Sequence, residues 1–320
     1  MIRNVALIPL CLWVVCAIAN AQTFPSKPVR FILAFAPGGG ADLNARIFVP
    51  EVSAGLGQPI IIENRPGGGT SVASEFVAKA APDGYTLLVN SSAIVIHPIL
   101  SKNATYDVLR DFSPVSSLSQ SSNILAVHPS LPTKNVKELI ALARSRPGAM
   151  NFASGGSGTT QHLIGELFKL RTNTKMAHIP YKGGAPALVA VLSGEVEMTF
   201  ASLPAISQYL NNKRLRALAT TGIKRDSLLP DVPTLKEAGF DELDVLLWFG
   251  VLAPARTPRE TVNSISNAIR KAANSSEVHK RLISVGAEPM ASTPEEFAAL
   301  LNREFLRWTK VVKTMKVTVE

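Results

Sequence analysis

The chain has 320 residues, 46 % of them hydrophobic and 18 % charged, which describes a globular protein large enough for two lobes and excludes a disordered one. Its formal net charge is +9, yet no Lys/Arg run exceeds two residues, so the expectation is a field that favours small anions and no nucleic-acid partner. Both cysteines, Cys11 and Cys16, sit in the leading segment, leaving the remainder without disulfides, thiolate metal sites or a cysteine nucleophile.

Residues 1–21 read as a signal peptide. Arg3 supplies the positive start, residues 5–18 an apolar run too short for a membrane anchor, and Ala19-Asn20-Ala21 a small-x-small cleavage site. Cleavage after Ala21 removes Arg3 and no acid, leaving a net charge of +8 on an exported, periplasmic chain. Residues 29–36 then read as a buried strand ended by Pro37-Gly38-Gly39-Gly40. A helical pattern follows (Leu43, Ile47, Val52, Leu56), in which Pro50 predicts a kink or an end. Strand 59–63, the turn Arg65-Pro66-Gly67-Gly68-Gly69, helix 71–80 and strand 86–90 continue the alternation, which predicts an α/β fold with a mainly parallel sheet flanked by helices.

The pattern restarts with strand 124–127 and helix 135–144, where Asn135 and Glu138 have capping-box spacing. Strand 151–153 leads into Ser154-Gly155-Gly156-Ser157-Gly158, then a helix carrying Leu163, Ile164, Leu167 and Phe168 on one face. Strand 176–179, Tyr181-Lys182-Gly183-Gly184, a helix to Leu192, and strands 197–200 and 215–220 follow. Strand 245–252 is read as returning the chain to the first lobe. Thr257-Pro258-x-Glu260 and Thr293-Pro294-x-Glu296 each read as a capped helix start, and Phe297, Leu300, Leu301, Phe305 and Trp308 as a core-facing stripe. The expected lobes are residues 24–123 plus 254–320, and 124–253, with a ligand cleft between them.

Four times a Gly-rich loop stands between a strand and a helix: 37–40, 66–69, 154–158 and 183–184. A helix N-terminus presents unpaired N–H groups and about half a unit of positive charge, so it holds anions without basic side chains. Glycine lets the backbone come close to the guest. Two such loops facing each other across a cleft would clamp a carboxylate.

Other chemistries fit less well. Glu63 stands about where a dinucleotide fold places its ribose acid, but Gly38-Gly39-Gly40-Ala41-Asp42-Leu43 lacks the third glycine, so no cofactor is expected. Gly155-Gly156-Ser157-Gly158-Thr159 fails the nucleophile-elbow pattern at its last position, leaving an exported hydrolase using Ser157 and His162 as the alternative reading. The five histidines show no metal-site spacing.

Seven motifs in order carry a resemblance over the mature chain. They are Phe24-Pro25-Ser26-Lys27-Pro28-Val29-Arg30; Pro37 to Asp42; Glu63-Asn64-Arg65-Pro66-Gly67; Lys79-Ala80-Ala81-Pro82-Asp83-Gly84-Tyr85-Thr86-Leu87; Phe152 to His162; Leu229-Pro230-Asp231-Val232-Pro233-Thr234; and Trp248 to Pro254, with Pro180-Tyr181-Lys182-Gly183 beside them. The chain thereby resembles the substrate-binding proteins of tripartite tricarboxylate transporters, the Bug type. The resemblance implies a non-catalytic periplasmic solute-binding protein with a two-lobed Venus-flytrap fold. It would hand a small carboxylate to membrane permease subunits or a sensor kinase, as a monomer by default. It places ligand contacts on Phe35 and Gly38, Gly39, Gly40, Ala41 and Asp42, and on Ser154, Gly155, Gly156, Ser157, Gly158 and Thr159 with His162 near. The strand ends Ser91-Ser92 and Ala201-Ser202 follow. Ala41 replaces a common hydroxyl residue and Ala201 a common acid, so an amino-acid ligand is disfavoured and a plain, possibly aromatic, mono- or dicarboxylate is expected.

Overall fold

The computed structural model describes residues 24–101 and 104–315, so the expected signal segment, its cleavage point and both cysteines lie outside the described residues. The first half runs β1 (Val29–Leu33), α1 (Gly40–Leu56), β2 (Ile60–Asn64), α2 (Ser71–Ala78), β3 (Thr86–Ser91), α3 (Ala93–Leu100) and β4 (Phe112–Val127). The second runs α4 (Val136–Ser145), β5 (Met150–Ser154), α5 (Thr160–Thr172), β6 (Met176–Pro180), α6 (Gly184–Leu192), β7 (Met198–Ser202), α7 (Leu203–Asn211) and β8 (Arg216–Thr220). The chain then returns through β9 (Leu246–Pro254), α8 (Arg259–Ala273), α9 (Ser276–Ser284), β10 (Glu288–Pro289) and α10 (Pro294–Met315).

Strand β1 lies parallel between β2 and β3, and β5 lies parallel between β6 and β7. Their apolar runs are buried without alternation because helices cover both faces. The antiparallel pairings come from two crossing strands. β9 pairs with β3 and with β4 as far as Ser122; from Asn123 onward β4 pairs with β7 and β8 instead. The sheet is therefore mixed, and one strand belongs to both halves.

Helix α1 does not end at Pro50. An internal proline costs about 3 kcal/mol, and the full burial of Ala45, Phe48 and Val52 against the core offsets it. The caps behave unequally. Asn135 accepts from the Glu138 N–H at 2.9 Å, and Thr293 accepts from the Glu296 N–H at 3.2 Å. Thr257 forms no capping box: its hydroxyl donates to the Pro254 carbonyl at 2.7 Å, and α8 starts at Arg259 without a side-chain cap. The stripe on α10 is core as expected, with Phe297, Leu301 and Trp308 buried. Trp248 of β9 meets Phe297 edge-on, with ring centroids 5.5 Å apart.

Candidate functional site

A narrow cleft, open to solvent, lies between the halves. The first half contributes Phe35, Gly39, Gly40, Ala41 and Ser91, and β9 adds Leu247 and Phe249, which share one strand face. Facing them are Gly155, Thr159, Thr160 and Gln161 at the start of α5, Gly184 at the start of α6, and Ala201, Ser202 and Ala205 around the start of α7. None of these lining residues bears a formal charge. Four helix N-termini (α1, α5, α6 and α7) instead converge on one space, so its electrostatics come from backbone N–H groups.

The halves touch around this space. A Cβ on Gly40 would lie 2.5 Å from the Ser202 hydroxyl and 3.4 Å from the Phe249 ring, and one on Gly39 would lie 3.5 Å from the Ala185 nitrogen. On the far wall, Gly155 donates to Gln161 Oε1 at 2.6 Å, which fixes the side chain at the mouth of α5. At Gly40 a side chain would displace the Ser202 hydroxyl, whereas at Gly39 the contact would be an ordinary one.

Of the residues expected at the site, Phe35, Gly39, Gly40, Ala41, Ser91, Gly155, Thr159, Ala201 and Ser202 line the cleft. The others build its walls. Gly38, at φ +80°, makes the turn before α1 and donates to Asp42. Asp42 is buried and accepts from Gly38 N at 3.0 Å, Arg46 Nε at 2.9 Å and Asn64 Nδ2 at 3.2 Å. Burial pushes its carboxyl up, but the bonds from Arg46, Gly38 and Asn64 and the Arg46 charge outweigh this and hold it below the usual carboxylate range. Ser92 meets Thr160 through a buried hydroxyl pair at 2.6 Å, one of the direct bonds between the halves. Ser154 turns inward to His178 Nε2 at 2.6 Å, and the Gly156 carbonyl accepts from Thr159 Oγ1 at 2.7 Å.

His162 also points into the protein. It is 5 % exposed, its Nδ1 accepts from the Gly158 N–H at 3.2 Å, and its ring stacks on His178 with centroids 4.0 Å apart. Burial, with Lys169 nearby, pushes its pKa down to about 4. Phe152 closes the stack from the other side of His178, 4.9 Å between centroids. The hydrolase reading therefore fails on geometry. The imidazole is committed to the Gly158 amide, and no hydrogen bond among the described residues joins it to Ser157, whose carbonyl faces Gly69. Likewise, no cluster of three potential metal ligands occurs among the described residues.

Thr160, Gln161, Gly184, Ala205, Leu247 and Phe249 line the cleft without having been singled out as contacts. Gln161 follows just after the third Gly-rich loop and Gly184 lies in the fourth, so they were within reach of the sequence. Leu247 and Phe249 read as core strand, and only the alternation of Trp248 toward α10 separates their face.

Two lobes closing on a charge-free cleft rimmed with helix N-termini define a solute-binding protein. Residues 45–317 match the model of the Tripartite tricarboxylate transporter family receptor, and the chain belongs to that family. Protein BugT of Bordetella pertussis is 35 % identical over 301 residues, covering 93 % of this chain and 92 % of that one. Among solved structures, R. palustris Rpa4515 with adipate is 35 % identical with a TM-score of 0.89, covering 92 % of this chain and 99 % of that one. MatC from Rhodopseudomonas palustris with bound malate is 32 % identical with a TM-score of 0.87, covering 90 % and 100 %. The family and fold are those of a binding protein, and no helix among the described residues is long and apolar enough to cross a membrane.

Proposed function

We propose that the protein is exported to the periplasm, with cleavage after Ala21, captures a small organic carboxylate in this cleft, and delivers it to permease subunits of a tripartite transporter. The observation that carries the reading is the convergence of four helix N-termini on a space whose lining bears no formal charge. Amides and the hydroxyls of Ser91, Thr160 and Ser202 are donors suited to a carboxylate. Phe35, Ala41, Ala201, Ala205, Leu247 and Phe249 offer an apolar wall to the carbon skeleton. With Ala201 at the strand end and no acid in the lining, nothing there balances an ammonium group, so amino acids are disfavoured. Relatives holding adipate and malate support this class of guest.

The lobes in this proposal are residues 24–123 plus 254–320, and 124–253. The switch of β4 from β9 to β7 and β8 between Ser122 and Asn123 supports the first boundary. Pairing of β9 with β3 supports the return of the chain to the first lobe through that strand.

The test is a thermal-shift panel of succinate, glutarate, adipate, malate, benzoate and glutamate on protein stripped of ligand. A carboxylate at a hundred times its Kd adds about 2.7 kcal/mol, a rise of several degrees for a chain of this size. The expected result is that at least one plain carboxylate raises the midpoint and glutamate does not. A flat response to every acid would defeat the proposal.

A further inference from the structure

Away from the cleft, the turn before α2 is pressed against the loop before α5. Gly69 stands at φ +60°, where an alanine would be strained, and a Cβ there would overlap the carbonyl oxygen of Ser157 and lie 2.5 Å from His97 Cδ2. Seen from the other side, a Cβ on Gly156 would lie 3.6 Å from Gly69 Cα, and one on Gly158 only 3.2 Å from His97 Cα. His97, on α3 and 7 % exposed, thus fills the angle between a glycine of the first lobe and a glycine of the second. The neighbouring Thr70 is held at φ +89°, a conformation that costs a non-glycine residue energy and persists only where its surroundings enforce it. Backbone meets backbone here, and a carbonyl cannot rotate out of the way as a side chain can.

Loop 155–159 is the same loop that supplies Gly155 and Thr159 to the cleft and starts α5. We propose that Gly69 and His97 are positioning residues for it: docked against them, the loop holds Gly155, Thr159 and the start of α5 in place as one wall of the cleft. They touch no ligand and act through the opposite lobe. The effect on affinity rests on the carboxylate reading above, whereas the effect on the loop does not.

The test compares the wild-type mature chain with Gly69→Ala and Gly57→Ala. Gly57 also has a left-handed backbone, φ +69°, but nothing lies within 4 Å of its would-be Cβ, so its variant carries the strain without the overlap. Calorimetric titration with succinate, adipate and malate is paired with hydrogen exchange of the peptide covering 154–162, measured with and without each acid. For Gly69→Ala the expected results are at least a tenfold loss of affinity and at least tenfold faster exchange in that peptide; Gly57→Ala matches wild type in both. Equal exchange in wild type and Gly69→Ala overturns the proposal, as does equal affinity for an acid the wild type binds. Wild type that binds no acid, with exchange still accelerated in Gly69→Ala, refutes the carboxylate reading and leaves the positioning role standing. Should Gly69→Ala not fold by circular dichroism, His97→Ala removes the same wedge without overlap, and unchanged exchange and affinity there overturn the proposal.

Discussion

Asp42 sets a negative charge in the first turn of a helix whose N-terminus borders an anion-favouring cleft. The structure reconciles the two by turning the carboxylate away: Gly38 N–H, Arg46 and Asn64 take its oxygens, and Arg46 neutralises it. Its role is then to hold the turn at residues 38–41. Asp42→Ala should lower unfolding free energy by about 1–3 kcal/mol, measured by denaturant titration at pH 7. The sign with pH follows from its lowered pKa. Above the ordinary value of 3.8 the ionised form stabilises the fold in full, and the contribution disappears as pH falls through the lower folded value. The variant should therefore lose less stability than wild type between pH 4 and pH 2; parallel acid limbs would contradict the assignment. The family resemblance places Asp42 among the ligand contacts. Nothing in its neighbourhood shows that Asn64, twenty-two positions on, will reach it.

At the scale of elements, the Phe152, His178 and His162 stack joins β5, β6 and α5 behind the binding loop. His162 Nδ1 accepts from Gly158 and His178 Nε2 bonds Ser154, so the neutral rings hold both ends of loop 154–158. Burial first, then His162 and Lys169, push His178 down to about 3, below His162 at about 4. Depressed histidine values work in the acid direction. Below the ordinary 6.5 the unfolded chain takes up protons that the native rings refuse, so stability falls toward pH 4 by about 1.4 kcal/mol per unit for each histidine. His162→Gln, which keeps an acceptor for Gly158, should flatten that slope by about half in melts from pH 7 to pH 4.5, and an unchanged slope would refute the assignment. The regular elements were legible where apolar periodicity is strong, as in β1, β3 and α5. The early part of β4 was not, because Ser113, Ser116, Ser117, Ser119, Ser121 and Ser122 have the composition of a loop. Tertiary bonding overrides that composition: Ser116 Oγ donates to the Ser292 carbonyl at 2.7 Å, and Ser117 pairs with Ser292 at 2.8 Å. Helices α3 and α7 were missed for a related reason. Each is short, apolar and contains proline, and each is held by burial more than by propensity.

For the whole molecule, the decisive feature is that neither lobe owns its sheet. Residues Asn123 to Val127 of β4 sit between β7 and β8, while the same strand up to Ser122 lies against β9. Melting either lobe alone would strip β4 of one set of ladder partners and expose Ile124, Leu125, Ala126 and Val127, all fully buried. Two-lobed chains joined by flexible linkers can unfold in two steps; one joined by an uninterrupted strand should not. Differential scanning calorimetry is expected to show a single transition whose van't Hoff and calorimetric enthalpies agree, and a bound carboxylate should move that transition as a whole. Two resolved transitions, with only one responding to ligand, would mean that the strand breaks at Ser122 on heating and that the lobes are energetically separate. Continuity and bending are compatible, because β4 carries register shifts against β9 between Pro114 and Ser116 and, a few residues before the partner switch, between Ser117 and Ser119. Such irregularities bend a strand without cutting it. Rotation of the two halves about β4 and β9 is then expected to leave the strand unbroken, so that closure over a guest needs no separate unfolding of either half.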